Sequence, residues 1–171
     1  VVLMGYLNPV EIRGYARFAA DAKAAGVDGL LLVDLPPEEA GELRTALASE
    51  GIALILLASP TTPDARIDLL CRDAQGYLYY VSYAGVTGAD RLDTGEAGDR
   101  LDRIRAGATV PVVAGFGIKD AASAAAMARS AEGVVVGSAL VAALSEAVDV
   151  ADAQVRAQAF LAPLRAALDA A

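Results

Sequence analysis

The most constraining feature of the sequence is a pair of glycine turns, each placed directly after an apolar segment. Residues 110–114 are apolar and mostly β-branched, and they end in the tripeptide GFG at 115–117. An alanine-rich segment at 120–130 follows, and a second apolar run at 133–136 ends in GS at 137–138. This order predicts strand, turn, helix, strand and turn. Two parallel strands ending in small-residue turns would present several free backbone N–H groups at one edge, an arrangement that binds phosphate.

A single glycine turn after a strand usually does no more than end the strand, whereas two on successive strands favour a binding function. In (β/α)8 barrels the usual phosphate site is built by the loops after the seventh and eighth strands, together with a short extra helix. Residues 138–147 are predicted to form such a helix. The paired glycine turns at 115–117 and 137–138 are therefore predicted to bind phosphate.

The rest of the chain repeats the same alternation of strand and helix. Strands are predicted at residues 1–6, 29–35, 52–57, 77–82, 110–114 and 133–136. Helices are predicted at residues 8–25, 36–50, 64–73, 99–105, 120–130, 138–147 and 151–170. Each repeat holds one strand, one helix and two short links, which predicts βα units and a parallel sheet. The apolar run GLLLVDL at 29–35 is typical of a strand covered on both faces.

Six βα units do not close a barrel, and a doubly wound sheet normally carries its phosphate turn after the first strand. Here the phosphate turns come last. We therefore predict an α/β fold that is an incomplete (β/α)8 TIM barrel with strands 3 to 8 present, and we expect two further βα units before Val1. The whole of residues 1–171 is predicted to be one domain, the phosphate-binding C-terminal portion of the barrel.

Composition excludes several classes of function. The net charge of −8 argues against a nucleic-acid or anionic-membrane partner, and no apolar run is long enough to span a membrane. Histidine is absent, so no zinc site of the Cys/His type is expected and no metal is predicted. Cys71 is the only cysteine, and without a histidine to activate it we expect it to be a packed helix residue. A cytoplasmic location is predicted.

Barrel enzymes carry their catalytic residues at the C-terminal ends of the strands. The polar and aromatic candidates at those positions are Tyr6, Asn8, Asp34, Ser59, Tyr79, Thr87, Phe116 and Ser138. No lysine stands there, which disfavours a Schiff base. Asp34 is either a general acid or base or a cap at a helix entry. Tyr79 is either a ligand contact or an interior aromatic, and Phe116 is placed to cover an apolar ligand.

The longest irregular segment follows the fourth predicted strand, at residues 83–98. A long loop in an otherwise compact series is usually a lid over a binding site or a disordered tip. Gly85 and Gly88 supply mobility and Thr87 supplies a hydroxyl. We predict that this loop is a lid.

Five motifs resemble one known family, and together they cover nearly the whole chain in order. They are LMGYLNP at 3–9, GVDGLLLVDLPPEE at 26–39, YVSYAGVTG at 80–88, GFGI at 115–118 and GVVVGSA at 133–139. In this combination and at these spacings they resemble the tryptophan synthase alpha chain. The resemblance implies a (β/α)8 lyase of tryptophan biosynthesis that cleaves indole-3-glycerol phosphate to indole and glyceraldehyde 3-phosphate by a retro-aldol route. It also implies an alpha2beta2 heterotetramer, in which a beta subunit containing pyridoxal phosphate receives the indole through a tunnel.

The resemblance further implies roles for individual residues. The residues expected to hold the phosphate are Gly88, Gly117, Gly137 and Ser138. Those expected to enclose the indole are Met4, Leu31, Leu57, Tyr79 and Phe116, with Thr87 ordering the lid. Asn8, Asp34 and Pro36 match positions that face the beta subunit. The family's acid–base carboxylates belong to its second βα unit, which has no counterpart in the chain, so no catalytic residue and no cofactor is expected here.

Two other assignments remain open on the residues alone. One is a different phosphate-binding TIM-barrel enzyme, such as a phosphoribosyl isomerase or a thiamine phosphate synthase. Such an enzyme should show a catalytic aspartate or cysteine, or a diphosphate site, and the chain offers none that is convincing. The other is a non-catalytic module that binds phosphate and a partner subunit.

Overall fold

A computed structural model describes residues 1–81, 94–115 and 117–171 of the chain. The chain divides into two compact units. The first comprises residues 1–58, 62–79 and 107–110, and the second comprises residues 59–61, 80–106 and 111–171. The strands are β1 Val2–Gly5, β2 Gly29–Leu32, β3 Ala53–Ala58, β4 Leu78–Val81, β5 Val112–Gly115 and β6 Gly133–Val135. The helices are α1 Leu7–Arg13, α2 Tyr15–Ala24, α3 Gly41–Ser49, α4 Asp64–Asp73, α5 Thr94–Gly107, α6 Ala121–Ala128, α7 Ser138–Ser145 and α8 Val150–Asp169.

The first unit is built on three parallel strands that follow one another in chain order. In the β1–β2 pair Met4 lies opposite Leu31, and in the β2–β3 pair Leu31 lies opposite Ile55. All four residues of β2 are buried, which confirms a strand covered on both faces at residues 29–32. The predicted extension to residue 35 was wrong, because residues 33–34 form a turn and Val33 is 40% exposed. Apolar faces of α2, α3 and α4 also contribute to the core, with Ala19, Ala22, Leu43, Leu47, Ile67, Leu70 and Cys71.

The first helical segment differs from the prediction. A single helix beginning at the cap Asn8 was expected, but α1 begins at Leu7 and ends at Arg13, and α2 begins at Tyr15. Gly14 has φ +82°, a left-handed conformation that glycine adopts at low cost, and it interrupts the helix. Asn8 consequently lies inside α1 as its second residue, and the N-cap is Tyr6.

The prediction that the next helix begins at residue 36 was also wrong. Residues 37–39 form a turn in which Glu39 N–H donates to Pro36 O at 3.0 Å, and α3 begins only at Gly41. Two consecutive prolines explain the delay, because neither has an N–H and the first is pushed out of the α region by the second.

Cys71 lies in α4, whose bounds match the prediction. The side chain is buried, and burial, followed by the charge of Asp68, raises the pKa of the thiol. A thiol that stays protonated is a poor nucleophile. The prediction that Cys71 is a packed helix residue is confirmed.

The second unit contains the parallel pair β5–β6 and the helices α6, α7 and α8. Ile118, Ala124 and Leu164 form a buried cluster in this unit. Five half-buried apolar side chains pack against it, from Met127, Val134, Val136, Phe160 and Leu168. The cluster joins the segment after β5, the end of β6 and the two helices α6 and α8. Apolar packing therefore fixes the segment that follows the first glycine turn and the strand that leads into the second.

A carboxylate secures the opposite end of the same strand pair. Glu132 precedes β6, and its Oε1 accepts from Arg105 Nε at 2.7 Å while its Oε2 accepts from Val112 N–H at 2.8 Å. The Glu132 N–H in turn donates to Val112 O at 2.9 Å. We call these three contacts the Glu132 clamp. The clamp joins the start of β5, the start of β6 and the last turn of α5 within the second unit.

The outer strand β1 is unusually apolar for its exposure. It pairs with β2 and stands at the end of the strand order, while Val2, Leu3 and Met4 are 40%, 39% and 61% exposed. The exposed side of this edge therefore combines apolar side chains with backbone groups able to pair. Within the described parts of the chain, no helix is both long and apolar enough to cross a membrane.

Candidate functional site

The structure brings the two glycine turns to the same end of the β5–β6 pair. In the parallel register Gly115 lies opposite Val135, which are the last residues of the two strands. The segments that continue from them, through Gly117 and through Gly137, therefore leave the pair at one edge. This is the arrangement that the sequence predicted for Gly117, Gly137 and Ser138.

Gly117 occupies a backbone conformation that its turn requires. Its φ is +76°, which side-chain-bearing residues rarely adopt, and a Cβ added there would meet nothing within 4 Å. The backbone at this point thus borders open space. A capping box fixes the chain just beyond it, where Ser123 N–H donates to Asp120 Oδ1 at 2.8 Å and Ser123 Oγ accepts from Asp120 N–H at 3.2 Å.

Gly137 and Ser138 form the second half of the site at the beginning of α7. Gly137 is the N-cap and makes no side-chain cap, and its carbonyl accepts from Val141 N–H at 3.1 Å. A helix leaves its first N–H groups without intrahelical partners, and here glycine has no side chain to satisfy them. A Cβ at Gly137 would also meet nothing within 4 Å, and the Ser138 side chain is exposed. The N-terminus of α7 therefore combines backbone N–H donors, the Ser138 hydroxyl and free space.

Such an edge is suited to an anion with several oxygen acceptors. Amide N–H groups and the positive end of the α7 dipole stabilise a phosphate without a cationic side chain. Among the described residues no group of three or more histidine, cysteine, aspartate or glutamate side chains could hold a metal ion. Phosphate binding by main-chain donors is the chemistry that the geometry supports.

Substituting Gly117 by alanine should destabilise the chain. The left-handed backbone costs an L residue about 1–2 kcal/mol, although the methyl group itself meets open space. Gly41→Ala is the matched control, because Gly41 is the first residue of α3, has no positive φ and offers a methyl group equal room. Urea unfolding of both variants measures the difference. Equal stability losses would contradict the conformational role of Gly117.

Three of the residues predicted to enclose the indole project from one face of the sheet in the first unit. Met4 and Leu31 are direct partners, and Leu57 lies two residues beyond Ile55, the partner of Leu31. Leu31 is buried and Leu57 half-buried, whereas Met4 is exposed. Tyr79 is buried in β4, where burial, followed by the charge of Tyr77, raises the pKa of its hydroxyl. The contact of these four side chains with indole stays a prediction.

Several predicted residues lie outside the part of the chain that the structure describes. They are Thr87, Gly88 and Phe116, together with most of the predicted lid. The irregular segment was expected to extend to residue 98, but α5 begins at Thr94, so its last residues are helical.

Asp34 has a structural role that the sequence did not assign. It was predicted to be an acid or base, a cap before Pro36, or a partner contact. Its Oδ1 accepts from Leu7 N–H at 2.8 Å, so it caps α1, which is 27 residues earlier in the chain. Asn8 is exposed beside this contact and Pro36 is half-buried.

A cavity of about 280 Å³ adjoins this segment in the first unit. Asp34, Pro36 and Leu57 contribute to its lining together with Thr62 and Arg66. Arg66 is paired there with Glu38 at 2.9 Å. Nothing in the sequence predicted this ion pair. Loop residues and residues in the first turn of a helix are often charged, but that tendency does not show which of them pair.

Parallel βα units, with paired glycine turns after the last two strands, define the chain as part of a (β/α)8 barrel of the type that binds phosphate at those loops. The model of one protein family, described as tryptophan synthase alpha chain, matches residues 1–168. The chain belongs to this family, which confirms the resemblance seen in its motifs.

Individual relatives agree with the family model. The tryptophan synthase alpha chain of Xanthomonas axonopodis pv. citri is 71% identical over 170 residues, which cover 99% of this chain and 63% of that relative. The solved alpha subunit from Legionella pneumophila is 41% identical with a TM-score of 0.85, over 100% of this chain and 63% of that chain. A chain of the tryptophan synthase a2b2 complex from Pyrococcus furiosus is 38% identical with a TM-score of 0.83, over 96% of this chain and 66% of that chain.

These similarities confirm the predicted fold class, an incomplete (β/α)8 barrel. They favour neither the alternative phosphate-binding barrel enzymes nor a non-catalytic module. The chain spans about 63% of the length of the curated relatives it matches.

Proposed function

We propose that the chain supplies the phosphate-binding portion of a tryptophan synthase alpha subunit, a lyase that cleaves indole-3-glycerol phosphate to indole and glyceraldehyde 3-phosphate. The observation that carries the proposal is the pair of glycine turns at one end of β5–β6, with Gly117 and Gly137 both bordering open space. Membership of the family supplies the identity of the phosphate ester.

The chain's own residues have binding and orienting roles in this function. Main-chain N–H groups at Gly117 and at the start of α7 hold the phosphate, and the Ser138 hydroxyl donates a further hydrogen bond. Gly88 is a further residue that binds the phosphate. The indole packs against Leu31, Leu57, Met4, Tyr79 and Phe116, with Thr87 ordering the lid. Fixing the ester at its phosphate orients the carbon–carbon bond that breaks.

The chemical step requires groups that the chain is not expected to supply. Indole C3 must gain a proton while a substrate hydroxyl loses one, which calls for a general acid and a general base. We expect no carboxylate within residues 1–171 to correspond to the family's acid–base pair. We therefore expect these residues by themselves to bind phosphate esters without turning them over.

The partner in this function is the tryptophan synthase beta subunit in an alpha2beta2 assembly. The related Pyrococcus furiosus protein forms an a2b2 complex, and Asn8, Asp34 and Pro36 are the residues we assign to the partner interface, whether by direct contact or by shaping it. Pyridoxal phosphate would belong to the beta subunit, and no step of this chain uses it. A cytoplasmic location agrees with a single buried thiol.

Indole release from indole-3-glycerol phosphate tests the proposal. We expect turnover by the polypeptide that the whole gene encodes, increased by added beta subunit, and none by residues 1–171 alone. A binding assay with glycerol 3-phosphate should detect the ester site in both. Lack of turnover by the longer polypeptide would contradict the proposed activity, and turnover by residues 1–171 would reveal an unrecognised acid–base pair.

A further inference from the structure

A side chain from one βα loop supplies the cap of the helix in the preceding βα unit. Asp34 follows β2, and its Oδ1 accepts from Leu7 N–H at 2.8 Å. Leu7 is the first residue of α1, and the N-cap Tyr6 makes no side-chain cap of its own. Asp34 thus provides the carboxylate that the α1 terminus lacks, and its negative charge lies at the positive end of the helix dipole.

The pairing of β1 with β2 places Asp34 beside the N-terminus of α1. Gly5 and Leu32 are partners at the ends of β1 and β2, and the pairing continues as Val33 N–H donates to Gly5 O at 3.1 Å. The next residue on the β2 side is Asp34, and two residues beyond Gly5 lies Leu7. The contact therefore follows from the parallel register and fixes the direction in which α1 leaves its strand.

A second contact holds the loop after β2, on the side of α4. Glu38 pairs with Arg66 in the first turn of α4 at 2.9 Å. Asp34 and Glu38 thus connect the loop after β2 to the segments that follow β1 and β3. Pro36 lies between these two contacts, and Asn8 lies one residue after Leu7.

We propose that Asp34 is a positioning residue for the partner surface and does not bind the partner through its own charge. By capping α1 it holds the first turn in which Asn8 is exposed, and it keeps that turn in register with the loop carrying Pro36. Asn8 and Pro36, 28 residues apart in sequence, are then presented as one surface. This inference rests on the proposed function, because it assumes that the beta subunit binds there.

Asp34→Asn and Asp34→Ala separate positioning from charge. Asparagine keeps an oxygen that can accept from Leu7 N–H and is an equally good cap, whereas alanine removes the acceptor. We expect the Leu7 amide to exchange with solvent about tenfold faster in Asp34→Ala than in the wild type, and nearly unchanged in Asp34→Asn. This readout requires no partner. Unchanged exchange in both variants would overturn the cap.

Titration with the beta subunit, using the polypeptide that the whole gene encodes, tests the link to binding. We expect Asp34→Ala to bind about 5- to 30-fold more weakly and Asp34→Asn to bind as the wild type does. The control Asp28→Ala, immediately before β2, should have no effect. Equal weakening by asparagine and alanine would indicate a direct charge contact and overturn the inference. Wild-type affinity in Asp34→Ala would also overturn it, whereas no binding by the wild type would refute the proposed partner itself.

Discussion

Placing an aspartate at Ser138 should greatly weaken phosphate binding while leaving the fold intact. Ser138 is the first residue of α7, where a negative side chain interacts favourably with the helix dipole. The same carboxylate would stand where the phosphate oxygens are held. Two like charges ~4 Å apart repel by about 4 kcal/mol at the effective dielectric near a protein surface. With allowance for solvent screening, we expect about 100-fold weaker binding.

Calorimetric titration with glycerol 3-phosphate measures this effect, and urea unfolding checks that Ser138→Asp is folded. Ser145→Asp is the matched control, since it adds the same charge at the other end of α7. It should leave the affinity nearly unchanged. Equal affinities for Ser138→Asp and the wild type would exclude the α7 terminus as the anion site.

The second large effect concerns the Glu132 clamp. Glu132→Ala removes the acceptor of Val112 N–H, and Val112 is itself buried. Leaving such a donor unsatisfied should lower the free energy of unfolding by about 1–3 kcal/mol at pH 7. The ion pair with Arg105 adds little, because the Glu132 side chain is 41% exposed. Glu132→Gln keeps a carbonyl oxygen for Val112 and should lose less.

The clamp also predicts a pH dependence with a definite sign. Burial raises the pKa of Glu132, but the hydrogen bonds from Arg105 and Val112 N–H and the charge of Arg105 outweigh it, so the pKa lies below the ordinary 4.5. The unfolded chain therefore binds this proton more readily than the folded chain. The stabilisation is present in full above about pH 4.5 and is lost as the pH falls through the lowered folded pKa.

Urea unfolding of the wild type and Glu132→Gln between pH 7 and pH 3 tests this dependence. The stability difference should be constant near neutrality and decrease in the acidic range. Glu146→Gln is the control, because Glu146 is 77% exposed and its ion pair is with the side chain of Arg156 at 3.3 Å. A difference that grows on acidification would contradict the sign.

The sequence was a good guide wherever the signal was local. The bounds of α4, the buried β2 strand and the two glycine turns all follow from patterns within a few residues. The helix boundaries were predicted wrongly where two short sequence motifs indicated different starting points. Asn8-Pro9 looked like a helix start, but capping by Asp34 lets α1 begin at Leu7, and Gly14 then ends it early.

Contacts between distant segments could not be predicted from one sequence. Nothing near Asp34 indicates that it accepts from Leu7, and nothing near Glu132 indicates Val112 or Arg105. Each contact depends on strand register, which becomes known only when the strands are paired. The positions of Gly117 and Gly137 were predictable because parallel strands end at a common edge.

The outer side of β1 has a consequence for residues 1–171 by themselves in concentrated solution. An edge strand with solvent-facing Val2, Leu3 and Met4 can pair with a strand from another molecule. The net charge of −8 opposes the approach of two molecules, because they repel each other. Added salt screens that repulsion but does not weaken the hydrophobic association of the exposed side chains. Dilute, low-salt buffers well above the isoelectric point of about 4.5 are accordingly the conditions in which the molecules stay apart.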